Sequence, residues 1–154
     1  MSNNISKHIT YKEATNSNTA IRRGIKNIPN NKQLAAMKLV AEKVFEPLRT
    51  HFNTPIRINS FFRCYDLNKA IGGSTTSQHE QGEAIDMDAT NGVTNKQLYD
   101  YIRDNLEYDQ LIWEFGTDKE PDWIHVSYNS DGKNRKQQLK AISKGGRTNY
   151  ILIS

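Results

Sequence analysis

The sequence predicts an α+β protein, in which a small antiparallel sheet packs against helices. Residues 31–52 place apolar side chains at steps of three and four, which is the period of a helix that buries one face. Residues 83–89 and 123–128 alternate apolar and polar side chains, which is the period of strands with one buried face. A chain of 154 residues is long enough to bury a core. We therefore expect one domain over residues 1–154.

Local signals place the ends of the elements. Thr10 and Glu13 have the spacing of a capping box. Thr94 and Gln97, at the start of the helix predicted at 94–106, have the same spacing. Pro47 has no N–H and is expected to bend or end the helix of residues 31–52. We expect, in addition, a strand at 55–62, a short helix at 66–71 stopped by Gly72-Gly73, a helix at 94–106 capped by Thr94 and Gln97, a strand at 110–115 and an edge strand at 150–153.

Two histidines and an aspartate have the residue types and spacing of a zinc site. His79 and Asp86 flank Gly82, which permits a tight turn between them. Asp86 and His125 each fall on the polar side of a predicted strand, so both can stand on one face of a sheet. Catalytic zinc takes three such ligands and keeps a fourth position for water. A lone histidine on a strand is more often a hydrogen-bonded structural residue, so the prediction depends on the combination.

Three further residues lie close to this combination in the sequence. Asp122 lies three residues before His125, and positions three apart on a strand do not share a face. Asp122 therefore reaches the metal only if the chain turns inward before the strand. Pro121 favours such a turn, and the alternative is a loop aspartate outside the site. Trp123 shares the polar face with His125. Glu114, in an otherwise apolar strand, is interpreted either as a support for a ligand or as a cross-strand partner.

Four segments carry a shared pattern: Ser60-Phe61-Phe62-Arg63, Leu67-Asn68-Lys69-Ala70-Ile71-Gly72-Gly73, Ser77-Gln78-His79-Glu80-Gln81-Gly82-Glu83-Ala84-Ile85-Asp86 and Asp122-Trp123-Ile124-His125. Together they resemble the zinc D-Ala-D-Ala peptidase family. That family includes bacterial D-Ala-D-Ala carboxypeptidases, the vancomycin-resistance dipeptidase and phage endolysin peptidases, and the hedgehog signalling domain is a structural relative. The resemblance covers residues 31–128 and implies the family's fold.

The resemblance also implies an activity and a metal. One zinc ion would be held by His79, Asp86 and His125, with Asp122 as the general base three residues before the last histidine. The implied reaction is hydrolysis of a peptide bond in peptidoglycan stem peptides, by a D-Ala-D-Ala carboxypeptidase or an endolysin-type endopeptidase. The alternative is a zinc-stabilised module on the same fold that binds cell wall or protein without turnover.

The resemblance assigns roles to three more residues. Arg63 would bind the carbonyl oxygen that becomes anionic during attack, whereas its local sequence equally fits a surface ion pair. Ser77 would contact substrate, and the alternative is an ordinary loop serine. Trp123 would contact substrate from the polar face of its strand.

Charge and composition limit the partners. The net charge is +4, and basic residues collect in an extension at residues 129–154, beyond the core of residues 31–128. This extension is either a solvated face or a surface for anionic wall polymers. Nucleic acid is not favoured, because no nucleic-acid motif or aromatic interleaving accompanies the charge. The sequence does not predict an oligomeric state.

The remaining observations concern the setting. The chain has one cysteine, so an intrachain disulfide is excluded. No segment is long and apolar enough to span a membrane. Residues 1–18 are polar and lack a signal-peptide core. We therefore expect synthesis in the cytoplasm and action at the bacterial cell wall, in a phage lysis or virion context.

Overall fold

The predicted combination of a sheet and helices is confirmed in a computed structural model, which describes residues 4–74 and 76–154. No helix within these ranges has the length and apolar character needed to cross a membrane. In chain order the elements are β1 (Asn4–Ser6), β2 (Ile9–Thr10), α1 (Tyr11–Thr15), α2 (Asn18–Arg23), α3 (Asn31–Val40), α4 (Glu46–Phe52), β3 (Arg57–Ser60), α5 (Tyr65–Ala70), β4 (Ala84–Asp88), α6 (Asn95–Asn105), β5 (Gln110–Glu114), β6 (Trp123–Ser127), β7 (Gln137–Lys144) and β8 (Arg147–Leu152).

The main sheet of the described residues has the strand order β3-β4-β6-β5-β7-β8. Its neighbouring strands are antiparallel except for β5 and β7, which run parallel. The sheet is therefore larger than expected and is mixed rather than wholly antiparallel. The reason is the path of the chain: β6 returns antiparallel to β5, and the next connection brings Lys136 back beside Tyr108, just before β5 begins. The hairpin of β7 and β8 takes the place of the single edge strand predicted at 150–153.

The long helix predicted at 31–52 is confirmed, with one irregular turn inside it. A π-helical turn at Ala41–Phe45 joins α3 to α4. Pro47 lies two residues after this turn ends, and because it has no N–H it cannot complete the regular bonding pattern at that point. The chain nevertheless stays helical to Phe52, so Pro47 does not end the helix.

Both predicted capping boxes are present. Thr10 caps α1 with Glu13, and Thr94 caps α6 with Gln97. In each box the hydroxyl accepts the backbone N–H three residues on, while the longer side chain accepts the N–H of the capping residue.

The two faces of the sheet have different surroundings, as the alternation in β4 and β6 predicts. One face is buried among the helices and forms the core. The other face carries Asp86 and His125 directly opposite each other on neighbouring strands. The apolar side chains that β4, β5 and β6 contribute to the core are Ile85, Met87, Leu111, Trp113, Ile124 and Val126.

Gly82 ends the short 3₁₀ turn at Gln78–Gln81 that carries His79. Its φ is +75°, and an added Cβ would lie 2.5 Å from the carbonyl oxygen of Gln33 in α3. We predict that Gly82→Ala lowers the free energy of unfolding by more than about 2 kcal/mol, because the left-handed conformation alone costs about 1–2 kcal/mol. Urea denaturation measures the change. Gly92→Ala is the matched control, since Gly92 also has positive φ but nothing lies near its Cβ position. Equal losses in the two variants would contradict the predicted steric contribution.

Candidate active site

Three side chains that could hold a metal ion converge on the polar face of the sheet. His79 comes from the 3₁₀ turn, Asp86 from β4 and His125 from β6. One ligand atom from each lies within 4.8 Å of the others. The two imidazole rings are 5.1 Å apart at an interplanar angle of 75°. The structure therefore brings together the three residues expected as ligands.

The hydrogen bonding of His79 favours a cation at this point. Its Nδ1 lies 2.7 Å from the carbonyl oxygen of Phe61, and because a carbonyl only accepts, Nδ1 must donate. Nε2 then carries a lone pair in the neutral ring. Nε2 is buried, faces Asp86 Oδ2 at 3.2 Å and makes no hydrogen bond within the described residues. Two electron-rich atoms facing each other in this way are satisfied by a bound metal, and the His-Asp-His set suits zinc.

Burial and charge set the protonation of these groups. Burial lowers the pKa of His79 against the opposing effect of Asp86, which favours the neutral, ligating ring. Burial would raise the pKa of Asp86, but His79 and His125 outweigh it and hold that pKa well below its ordinary value. Asp86 Oδ1 lies 2.8 Å from His125 Nδ1, which donates to it when protonated. An ionised carboxylate therefore stands between two imidazoles.

Arg63 lies beside the candidate ligands. Its backbone N–H donates to the carbonyl oxygen of His79 at 3.3 Å. Its Nε is buried and has no hydrogen-bond partner among the described residues. Burial lowers the pKa of Arg63, while Asp86 opposes that change. No ion pair holds this guanidinium within the described part of the chain, so it is free to bind a ligand in the cavity.

Asn27 fixes the backbone on both sides of Arg63. The buried Asn27 amide donates from Nδ2 to the carbonyl oxygens of Phe62 and Thr15, each at 2.9 Å. Its Oδ1 accepts the N–H of Cys64 at 2.7 Å. The sequence patterns gave no sign of this role, because the contact joins residues 35 positions apart.

A cavity of about 740 Å³ opens over the three candidate ligands. Ser77 and Trp123, both expected to contact substrate, line it. Ser77 also caps the 3₁₀ turn, since its Oγ accepts the N–H of His79 at 3.3 Å. The Trp123 ring packs at a tilt against Phe115, with centroids 5.5 Å apart.

Asp122 does not join this cavity. It is exposed and is absent from the residues that line the site. Its backbone N–H donates to the carbonyl oxygen of Glu114, and its own carbonyl accepts from Asn95 at the start of α6. Because Trp123 faces the cavity, the preceding residue falls on the other side of the strand. The inward turn that the sequence required at Pro121 is therefore not seen.

Glu114 lines the cavity from which Asp122 is absent. It lies opposite Trp123 in the register of β5 and β6, is buried and lines the cavity. No hydrogen bond or ion pair holds its carboxylate within the described residues. Burial raises the pKa of Glu114 to about 7, with His125 opposing the change and Asp86 adding to it. The sequence contained a signal for this role: a single acid within an apolar strand, in phase with the polar face.

The basic residues of the C-terminal extension do not form one free surface. Arg135 binds the buried carboxylate of Asp109 through two nitrogens, at 2.9 and 2.7 Å. Other cations of the segment also have acidic partners, which favours the interpretation as a solvated face. These further pairs are Lys136 with Glu107 and Lys140 with Asp118.

A sheet carrying a His-Asp-His cluster, with an unpaired arginine and a buried glutamate in the same cavity, is the arrangement of a metallohydrolase. The comparison with protein families agrees. A family model described as Peptidase M15 matches residues 7–127, so the chain belongs to the peptidase M15 family. M15 peptidases are zinc-dependent. A comparison with curated proteins found no match.

Proposed function

We propose that this protein is a zinc peptidase that hydrolyses a peptide bond in peptidoglycan stem peptides, as a D-Ala-D-Ala carboxypeptidase or an endolysin-type endopeptidase. The observation that carries the proposal is the buried, unbonded Nε2 of His79 facing the carboxylate of Asp86, with His125 bound to the other oxygen of that carboxylate. These three side chains would hold one zinc ion. When bound, zinc lowers the pKa of its water toward about 7 and polarises a carbonyl group.

The other residues of the cavity supply proton transfer and charge stabilisation. In the proposed reaction the carboxylate of Glu114 takes a proton from the attacking water and passes it to the leaving amine. The guanidinium of Arg63 donates hydrogen bonds to the carbonyl oxygen as it becomes anionic. Ser77 and Trp123 hold the substrate beside these groups.

Two carboxylates compete for the role of general base. Asp122 is favoured by its spacing from the last histidine. Glu114 is favoured by its burial in the cavity and by a carboxylate that no described side chain engages. A general base must come within hydrogen-bond reach of the proton it removes, so we assign the role to Glu114.

The substrate class follows from the family resemblance, and the cavity is compatible with a peptide. Its lining combines hydroxyl, amide and apolar groups with the guanidinium of Arg63 and the carboxylates of Asp86 and Glu114, so it offers donors and acceptors to a peptide backbone. We propose that the protein acts at the bacterial cell wall, in a phage lysis or virion context, and that residues 1–154 work as one peptidase domain.

The test is mass spectrometry of purified peptidoglycan fragments after incubation with the protein, with added zinc or with a chelator. We expect new peptide products in zinc that disappear with the chelator, and their masses will identify the bond. If zinc is bound and several types of stem peptide stay intact, the protein is the non-catalytic binding module on the same fold.

A further inference from the structure

The β7–β8 hairpin reaches the candidate active site. Leu139 of β7 and Thr148 and Tyr150 of β8 line the same cavity as His79 and Glu114. The family match ends at residue 127, so this wall is built from a segment that the match does not include. The sequence placed these residues in a basic extension, whereas the structure joins them to the sheet that carries Asp86 and His125.

The register of the strands puts Tyr150 in line with Glu114. Glu114 lies beside Ala141 of β7, and Ala141 lies opposite Tyr150 of β8. Residues that pair across neighbouring strands point to the same face, so all three share the face of the cavity. Two strand spacings separate Glu114 from Tyr150, about 10 Å. The side chain between them is the small, fully buried Ala141, and Tyr150 lines the cavity beyond it.

The charged groups of the site change the pKa of the Tyr150 hydroxyl. Partial burial raises the pKa of Tyr150, the charges of Glu114 and Asp86 raise that pKa further, and the charge of Arg63 opposes them. The hydroxyl therefore keeps its proton at neutral pH and is available as a donor. No hydrogen bond engages this hydroxyl within the described residues. A neutral donor near an unpaired guanidinium suits an oxygen atom of a ligand.

The start of the hairpin is tied to the loop that carries His79. Arg135, two residues before β7, binds Asp109, and Asp109 accepts a hydrogen bond from Gln78 at 3.1 Å. Asp109 is fully buried, whereas the Arg135 side chain that binds it is 56% exposed. These contacts connect the start of the hairpin to the turn that carries His79.

We propose that the β7–β8 hairpin is a wall of the substrate cleft and that the Tyr150 hydroxyl donates a hydrogen bond to an oxygen of the bound peptide. The inference rests on the proposed function and adds a residue that determines specificity. The oxygen belongs either to a backbone carbonyl of the peptide or to its terminal carboxylate. If the oxygen belongs to the terminal carboxylate, the enzyme is a carboxypeptidase, because Tyr150 then binds the C-terminus of the substrate peptide.

The experiment compares Tyr150→Phe with the wild type on a synthetic stem pentapeptide ending in D-Ala-D-Ala and on its C-terminal amide. We expect about a tenfold rise in KM with little change in kcat, since one hydrogen bond to a ligand oxygen is lost. Tyr65→Phe is the matched control, because Tyr65 is 62% exposed against 57% for Tyr150 and lies outside the cavity. A rise in KM on the acid alone identifies the terminal carboxylate, and a rise on both peptides identifies a carbonyl.

A binding measurement separates this inference from the proposed function. Calorimetry of the pentapeptide with zinc-loaded Glu114→Gln, and with the same variant carrying Tyr150→Phe, needs no turnover. If the Kd of the double variant is about tenfold higher, Tyr150 binds the peptide, even if the wild type hydrolyses nothing. Identical Kd values, together with unchanged KM on both peptides, would overturn the role of Tyr150 while leaving hydrolysis by the wild type intact.

Discussion

Replacing Glu114 with Gln will abolish most peptidase activity and leave the bound zinc in place. Gln has nearly the same shape but cannot accept a proton from water, so the loss falls on the chemical step. Positioned general bases contribute about 10²–10⁴-fold, and we expect kcat to fall by that amount. Steady-state kinetics on the stem pentapeptide measure kcat, and elemental analysis of the purified variant measures zinc.

Asp122→Asn is the matched control for that experiment. Asp122 is exposed and outside the cavity, so we expect its kcat to stay within about a factor of two of the wild type. The opposite pattern, an inactive Asp122→Asn and an active Glu114→Gln, would return the role of general base to Asp122. It would also mean that the segment before β6 moves inward when substrate and zinc are bound.

Replacing His125 with Ala will remove both zinc and activity. His125 supplies one of only three expected ligands, and a catalytic zinc site with two protein ligands holds its ion weakly. Activity should fall to the level of the chelated wild type. The zinc content after dialysis and the rate of pentapeptide hydrolysis are the two measurements.

His51→Ala controls for the loss of a histidine as such. His51 is exposed at the end of α4 and stacks on Tyr101, away from the cavity. The His51→Ala variant should keep the zinc content and the rate of pentapeptide hydrolysis of the wild type. His125→Gln guards against a folding defect, since it retains bulk and polarity; a folded His125→Gln with full zinc content would break the assignment of His125 as a ligand.

Local periodicity was enough to predict the elements that hold the candidate ligands. The alternation around Asp86 and His125 predicted that both side chains share one face, and their direct pairing across β4 and β6 agrees. The apolar spacing of residues 31–52 likewise predicted the helix that supports the turn carrying His79. In these cases the pattern of neighbouring residues along the chain determines which face of the helix or strand a side chain occupies.

The sequence was less informative where partners come from afar. The parallel pairing of β5 with β7 joins segments 27 residues apart, as in the Gln110–Gln137 pair, and no local pattern encodes it. For the same reason, the sequence did not predict that Tyr150 lines the cavity, and residues 129–154 were described only as a basic extension. The spacing of Asp122 from His125 suggested a shared site, but strand geometry turns the two side chains to different sides. Glu114 was interpreted only as a support for a ligand or a cross-strand partner, although it lies in phase with the polar face of β5.

The most direct test of the account is a crystal structure with anomalous diffraction data collected on both sides of the zinc absorption edge. The account predicts one strong anomalous peak at bonding distance from His79 Nε2, a carboxylate oxygen of Asp86 and a ring nitrogen of His125. It also predicts the Glu114 carboxylate in the cavity beside that peak. A peak elsewhere, or a zinc-soaked crystal with none between these three side chains, would contradict the assignment of the metal centre and the mechanism built on it.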